Sequence, residues 1–379
     1  MEIVLDGVIF EQQARGGIPR IYQEILPRIC SLDPTSRILL LTHGPIRSKW
    51  PDHPQIIHRR LWPLNRYIQP GKYLWSFKKR VRSWIAGYSL TSHAHEIWHS
   101  THYTLPHKWK GPILISAYDL LIERFAPIFD EPIYHQTRAE MRRCIAAADG
   151  VICISETTKK EIVDFYQTDS SKLYVVPLAH SEVFQPLPLS ECKDELSLQF
   201  LPRGEKPFFL YVGKRGRYKN FKIILDAFEI WQQKAEVDLV VVGAEWTAAE
   251  KEALTEKNLH AHVRLVGHVD DRNLCVLYNR AQALIYPSLY EGFGLPPLEA
   301  MACGCPVIAS HMPTTLEVAG EVPIYFEPTA RESLRDAFDI ALNETQNEER
   351  VRAGLAHVKK YSWDHTAKET LNLYQLFSP

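Results

Sequence analysis

The sequence predicts two doubly wound α/β domains in series, and three observations carry this. Short apolar runs of strand length alternate with stretches of helical periodicity, as in a parallel sheet whose strands are buried on both faces. The alternation pauses where Pro186, Pro188, Pro202 and Pro207 bracket a short polar segment, and then restarts. The length, 379 residues, suits two domains of roughly 100 to 200 residues each.

Taken in order, Ile3–Ile9 reads as the first strand and Phe10–Gly17 as a polar loop ending in two glycines. Ile18–Ile29 reads as a helix because Ile18, Ile21, Ile25 and Ile29 recur at helical spacing. Apolar runs at Ile38–Thr42, Glu96–His99, Pro112–Ala117, Gly150–Ile154 and Lys172–Val176 supply further strands, with helical stretches such as Tyr134–Ala148 between them. After the prolines the rhythm is clearer. Strands are expected at Phe208–Val212, Val237–Val242, Val263–Val266, Ala283–Tyr286 and Val307–Ala309; helices are expected at Asn220–Gln233, Ala248–Asn258, Asp271–Arg280 and Pro297–Cys303. The expected division is an N-terminal domain over 1–185, a linker over 186–206 and a C-terminal domain over 207–361. The last helix, within 362–379, has no strand after it and is expected to pack back across the junction. Two such domains place a cleft where the carboxyl ends of both sheets face.

Composition narrows the class. Lys plus Arg is 44 and Asp plus Glu is 45, so no global field draws the chain onto nucleic acid. The balance is uneven: residues 1–189 carry 23 basic and 18 acidic side chains, which leaves 21 and 27 for residues 190–379. Seven cysteines without a C-x-x-C spacing fit a reducing compartment and supply neither a disulfide framework nor a zinc site. The start, Met1-Glu2-Ile3-Val4-Leu5-Asp6, lacks the basic region of a signal peptide, and no long apolar span is present. A cytoplasmic location is expected, with the inner face of the cell membrane as a peripheral station.

The most informative stretch is Tyr290-Glu291-Gly292-Phe293-Gly294-Leu295-Pro296-Pro297-Leu298-Glu299. Gly292 and Gly294 permit a tight turn, and the prolines suit the first positions of a helix. A helix N-terminus presented by such a turn attracts anions through its free amides and dipole. Glu299 is expected in the first turn, where it either serves a ligand or simply complements the dipole. Upstream, Gly213-Lys214-Arg215-Gly216-Arg217-Tyr218-Lys219-Asn220 puts four cations in six residues after a buried strand. Such a loop suits a diphosphate, and a solvated basic loop is the plain alternative. It is not a P-loop, no G-x-G-x-x-G follows a strand, and no Asp-x-Asp occurs. A diphosphate leaving group would therefore be neutralised by side-chain cations and helix amides rather than by a carboxylate-held metal.

The Glu291-x7-Glu299 signature, set in Pro287-Ser288-Leu289-Tyr290-Glu291-Gly292-Phe293-Gly294-Leu295-Pro296, resembles the retaining glycosyltransferases of family 4. Leu210-Tyr211-Val212-Gly213 with Lys219-Asn220, Gly267-His268-Val269, Pro306-Val307-Ile308-Ala309, Glu317-Val318-Ala319-Gly320 and Tyr361-Ser362-Trp363 agree with it. Gly16-Gly17-Ile18-Pro19-Arg20 is similar to the glycine-rich first loop of that family. The likeness spans nearly the whole chain and is densest over residues 208–330. It implies the GT-B fold, two Rossmann-like doubly wound domains facing each other across a cleft.

Position by position, the resemblance implies that Arg215 and Lys219 hold the donor diphosphate and stabilise its departure. Glu291 would contact the donor sugar and Glu299 the ribose hydroxyls. Gly213, Gly292 and Phe293 would line the donor site, and the amides of Gly294 and Leu295 would face the phosphates. The backbone at Val269 would face the base, and Gly16 and Gly17 would cap the diphosphate from the other domain. The family chemistry is front-face transfer with retention, without a metal. One departure stands out: where the family has His-Asp-Leu, this chain has Tyr118-Asp119-Leu120. A phenol does not titrate near neutrality unless strongly perturbed. Either Tyr118, Asp119 or a neighbouring histidine, His99 or His102, takes over that contact, or activity is reduced or lost.

Between His53 and His95 the chain has no acidic residue, eight Lys or Arg and seven aromatics. Within it, Trp75–Trp84 reads as a basic amphipathic helix, expected to meet an anionic membrane surface carrying a lipid-linked acceptor. The resulting expectation is a hexosyltransferase using a nucleotide-sugar donor, UDP-glucose first and GDP-mannose as its rival, in polysaccharide synthesis. No cofactor, metal or nucleic acid is expected. The rival of another class is a non-catalytic subunit that binds nucleotide sugar.

Overall fold

The computed structural model describes residues 1–14, 16–61, 96–188, 190–193 and 206–378. The chain divides into two compact units, Met1–Leu178 with Ser362–Pro379, and Ala179–Tyr361.

The first unit is built on a seven-stranded sheet. Its strands are β1 (Glu2–Asp6), β2 (Arg37–Thr42), β3 (Ile56–Arg60), β4 (Glu96–Ser100), β5 (Ile113–Ala117), β6 (Gly150–Cys153) and β7 (Leu173–Val175). They run in the order β3-β2-β1-β4-β5-β6-β7, every pair parallel. The central strands are apolar and buried, so the continuous apolar runs read from the sequence correspond to strands covered on both faces. Two local expectations are corrected. The first strand stops at Asp6, and Val8–Gln12 is a short helix whose Val8, Ile9, Phe10 and Glu11 are buried, so this stretch is not a polar loop. β3 went unread because four of its five residues are exposed: it is the sheet edge and presents His58, Arg59 and Arg60.

Helix Trp363–Phe377 belongs to this unit and packs on helix Gly17–Leu32. Ser362 caps it by accepting from the His365 amide, and the Thr366 hydroxyl donates to the Pro177 carbonyl at 2.8 Å. Ion pairing from Arg28 to Asp364 at 2.9 Å adds little, because the Asp364 side chain is 83% exposed.

The second unit holds β8 (Phe208–Val212), β9 (Asp238–Val242), β10 (Val263–Gly267), β11 (Ala283–Tyr286), β12 (Val307–Ser310) and β13 (Ile324–Phe326). Their order is β10-β9-β8-β11-β12-β13, again all parallel. Phe209, Phe228, Trp231 and Phe338 form an aromatic knot with centroids 5.1 to 6.4 Å apart. It holds β8 to helices Phe221–Ile230 and Arg331–Ala341, and the Trp231 indole N–H donates to Asp339 at 2.8 Å. Truncating any of these rings to Ala would cost about 3 to 5 kcal/mol.

The passage between units falls at Leu178/Ala179, ahead of the expected linker. Local packing explains the difference. The Phe184 ring sits edge-on to Tyr278 at 5.8 Å, and Asn279 both accepts from the Leu187 amide and donates to the Gln185 carbonyl. Residues from Ala179 onward are thereby tied to helix Asp271–Arg280 of the second unit.

Both sheets share one topological property. Strand order reverses between β1 and β4 in the first and between β8 and β11 in the second. At such a switch point the loops leaving adjacent strands run to opposite faces and open a crevice at the carboxyl ends. The basic segment 53–95 is described only to Leu61; its remainder, with the run Trp75–Trp84, lies outside the described residues.

Candidate functional site

The switch point of the second sheet brings together the two stretches singled out in the sequence. The loop after β8 carries Gly213 to Lys219, and the loop after β11 carries Ser288 to Gly294. Lys219 Nζ donates to Glu291 Oε1 at 2.5 Å, and the Ser288 hydroxyl donates to the same oxygen at 2.6 Å. The Lys219 and Glu291 side chains keep 21% and 17% of their surface exposed. Charges in this state are paired yet within reach of solvent, and an incoming anion can exchange for the carboxylate at little desolvation cost.

Beside them starts helix Leu295–Ala302, whose N-cap Gly294 adopts φ +105°, a left-handed conformation that a side chain would strain. The Tyr286 hydroxyl lies 3.4 Å from where a Cβ on Gly294 would be. Burial raises the Tyr286 phenol well above its ordinary range, and the neighbouring Glu291 carboxylate adds to the shift, so Tyr286 is a neutral donor here. Gly292, Gly294 and Leu295 are half-buried, while Phe293 is buried edge-on to Tyr361 at 5.9 Å. The arrangement places one lysine, one carboxylate and a helix N-terminus around a glycine turn, which is chemistry suited to a phosphorylated sugar.

Glu299 sits one turn deeper than expected, because the helix begins at Leu295. Its side chain is buried, and Tyr278 donates to Glu299 Oε2 at 3.1 Å. Val269 is half-buried on the link between β10 and helix Asp271–Arg280. Gly213, at φ +131°, donates its amide to the Val242 carbonyl and has open space on its Cβ side.

Arg215 makes its contacts away from Glu291. Its Nε donates to Glu250 Oε1 at 2.7 Å and its Nη2 to Glu250 Oε2 at 3.2 Å, and only 5% of the side chain is exposed. Lys219 meets Glu291; Arg215 is committed to a helix on the neighbouring βα unit. Sequence reading missed Ser288, Tyr278, Tyr286 and Glu250. Ser288 had a signal, three residues before Glu291 in the same turn, whereas Glu250 is 35 residues from Arg215 and had none.

In the first unit the switch point is closed. Asp6 at the end of β1 accepts from the Thr101 amide at 2.9 Å and the Ser100 hydroxyl at 3.2 Å, and the Thr101 hydroxyl also reaches it. Tyr118, expected near the donor, donates its hydroxyl to the Thr101 carbonyl at 2.9 Å and shares a 2.7 Å hydrogen bond with Tyr22. Burial, then Tyr22, push its pKa well above the ordinary phenol value. The Tyr118 hydroxyl is thus part of a core network. His99 has the same fate: its Nδ1 meets the Tyr374 hydroxyl at 2.6 Å and its Nε2 the Ser116 hydroxyl at 2.8 Å. Burial lowers its pKa to about 3, so it is neutral at physiological pH. Asp119 is exposed and accepts from the Leu121 amide, and His102 is half-buried with its ring edge-on to Tyr103. Gly16 caps and Gly17 opens helix Gly17–Leu32, both exposed. Among the described residues no cluster of three or more His, Cys, Asp or Glu could hold a metal, and no helix is long and apolar enough to cross a membrane.

Comparison with known proteins bears on the family and the fold. Residues 193–356 match the family model of group 1 glycosyl transferases, and residues 33–179 match that of glycosyltransferase family 4. The chain is 26% identical to O-antigen chain mannosyltransferase B of Escherichia coli, covering 76% of each chain. It is 26% identical to the O-antigen chain mannosyltransferase RfbU of Salmonella typhimurium, covering 70% of this chain and 69% of that one. Among solved structures, sucrose-phosphate synthase from Thermosynechococcus elongatus superimposes with a TM-score of 0.77 at 21% identity, over 99% of this chain and 98% of that one. The fold is therefore GT-B, and with one matching model on each sheet the chain belongs to the family 4 and group 1 glycosyltransferases.

Proposed function

We propose that this glycosyltransferase moves a hexose from a nucleotide-sugar donor onto a glycan or lipid-linked saccharide in polysaccharide synthesis, with retention at the anomeric carbon. The observation that carries the reading is the pairing of Lys219 with Glu291 at the switch point of the second sheet, beside the N-terminus of helix Leu295–Ala302. In this reading the donor diphosphate takes Lys219 from Glu291. The lysine and the helix amides then stabilise the charge that develops on the leaving diphosphate. Glu291, still held at Oε1 by Ser288, is freed to hydrogen-bond the donor sugar, and Glu299 binds the ribose. These side chains and amides supply the countercharge, so no metal is assigned to the step.

Two donors compete in this reading. UDP-glucose is the donor favoured from the sequence. The names of the relatives favour GDP-mannose, since two O-antigen mannosyltransferases each align over more than two thirds of the chain. Their agreement makes GDP-mannose the donor to test first. Thermal unfolding with UDP, GDP, ADP and their sugars decides between the bases, because a ligand that binds only the folded chain raises the melting temperature by an amount that grows with the ratio of its concentration to its dissociation constant. Stabilisation by GDP and GDP-mannose supports mannosyl transfer, stabilisation by UDP and UDP-glucose restores the first donor, and stabilisation by none of them removes the reading.

The acceptor side rests on the basic, aromatic segment 53–95, which we assign to docking on an anionic membrane surface, each basic residue contributing about 1 kcal/mol. Equal binding to anionic and neutral vesicles would sink that assignment.

A further inference from the structure

Arg215 is the one member of the expected phosphate-binding pair that the fold withdraws from the ligand. We infer that Arg215 is a positioning residue, clamped by Glu250, that fixes the basic loop after β8 against the loop after β9 and does not contact the donor diphosphate. The inference rests on the nucleotide-sugar reading above and deepens it by dividing the two cations between binding and positioning.

Most of the guanidinium's donors are already spent within the fold. Beyond its two bonds to Glu250, Nη2 of Arg215 donates to the Ala244 carbonyl at 2.8 Å and the Glu245 carbonyl at 2.9 Å. The guanidinium carbon lies 4.5 Å from the centroid of the Trp246 ring and 5.8 Å from that of the Phe221 ring. A planar fork stacked on an indole and bidentate to a carboxylate is a role that lysine cannot fill. Nη1, the remaining nitrogen, is buried without a hydrogen-bond partner. It lies 3.1 Å from where a Cβ on Gly243 would stand, and that Cβ would also meet the Gly213 carbonyl oxygen at 2.6 Å. Gly243 is glycine because the two loops touch backbone to backbone over the arginine.

Glu250 is itself fixed. It is the third residue of helix Ala248–Glu256 and closes a capping box with Thr247: its Oε2 accepts from the Thr247 amide at 2.8 Å and hydroxyl at 2.9 Å, while its own amide donates to the Thr247 hydroxyl at 3.3 Å. Burial would raise the Glu250 pKa, but the bonds from Arg215 and Thr247 outweigh it and hold the carboxylate below its usual range. The chain of contacts thus runs from the helix cap through Glu250 and Arg215 to the loop that ends, four residues later, at Lys219.

The test compares GDP and UDP binding by calorimetry in the full chain, wild type against Arg215→Lys, Glu250→Gln and their double variant, with Lys219→Ala alongside. With a clamp, both single variants weaken nucleotide binding by on the order of 10-fold to 100-fold through misplacement of the loop. The double variant is then no weaker than the worse single, since each removes the same link. Thr247→Ala, which leaves both charges in place and only loosens Glu250, gives a smaller loss in the same direction and keeps the test open where Glu250→Gln unfolds the chain. Direct phosphate contact predicts the opposite pattern: Arg215→Lys binds nearly as wild type and Glu250→Gln is unchanged or tighter. That pattern, with Lys219→Ala still abolishing binding, overturns the clamp alone. A wild-type chain that binds neither nucleotide overturns the donor reading and the clamp with it.

Discussion

The two sheets reverse strand order in the same way and fill the resulting crevices with different chemistry. Between β1 and β4, Asp6 is satisfied by the amide and hydroxyl of Thr101 and by Ser100, all buried, and Tyr118 and Tyr22 extend the network inward. Between β8 and β11, Lys219 and Glu291 hold each other while part of each remains exposed. In the first crevice Asp6, Tyr118 and Tyr22 bond within the fold. The second holds opposite charges whose pairing an anion can replace. A doubly wound sheet offers a crevice by topology alone, and the residue types at the strand ends decide whether it becomes a core or a site.

Substitutions on the two sides should therefore separate into effects on transfer and effects on stability. The largest is expected for Lys219→Ala, which removes the cation from the open crevice and should lower kcat/KM by about 100-fold to 1,000-fold, read with the donor that the nucleotide panel selects. Its melting temperature should stay near wild type, because the pair it breaks is partly solvated. A transfer rate within a few-fold of wild type would remove Lys219 from the site.

His99→Ala should act in the opposite sense, costing about 2 to 4 kcal/mol of stability by removing the imidazole that the Tyr374 and Ser116 hydroxyls share in the first unit's core. A pH signature accompanies it. The folded pKa, about 3, lies below the unfolded value of about 6.5, so between these values the unfolded chain binds the extra proton. His99 thus contributes its full stability above about pH 6.5 and loses it as the pH falls, by about 1.4 kcal/mol per unit within the window. Denaturant titrations of wild type and His99→Ala at pH 7 and pH 5 should show the smaller acid loss in the variant; equal losses would mean that His99 is not buried neutral.

Ser288→Ala removes one of the two bonds to Glu291 Oε1 and should reduce transfer by about 10-fold to 100-fold, the worth of one charged hydrogen bond. Tyr118→Phe is the sharpest probe of the closed crevice: it should cost about 1 kcal/mol in equilibrium unfolding by disconnecting Tyr22 and Thr101. A hundredfold fall in kcat without loss of stability would instead return Tyr118 to the chemistry. The smallest effect belongs to Asp364→Ala, under about 1 kcal/mol, since its pair with Arg28 is open to water.

The sequence made the strands of the second unit legible almost residue by residue, because strands buried on both faces read as unbroken apolar runs: Phe208–Val212 and Ala283–Tyr286 need no periodicity argument. β3 was not legible, since an edge strand that shows His58, Arg59 and Arg60 to solvent looks like a polar loop. Val8–Gln12 was misread for the converse reason, five residues being too few to display a helical period. At the site, Lys219, Glu291 and the glycine turn stood out because glycine placement and a helix start leave local signatures. The division of labour between Arg215 and Lys219 did not. Cations in one loop look alike in sequence, and what separates these two is Glu250 on a different βα unit. Likewise nothing around Tyr118-Asp119-Leu120 told that the phenol turns into the core, a fact set by Tyr22, 96 residues away.

The most direct measurement is calorimetric titration of the wild-type chain and of Lys219→Ala and His99→Ala with GDP-mannose and with UDP-glucose. A donor site at the second switch point requires that one of the two bind the wild type, that Lys219→Ala lose that binding and that His99→Ala keep it. Binding that survives Lys219→Ala but disappears in a folded His99→Ala chain would put the donor in the first unit and contradict the assignment.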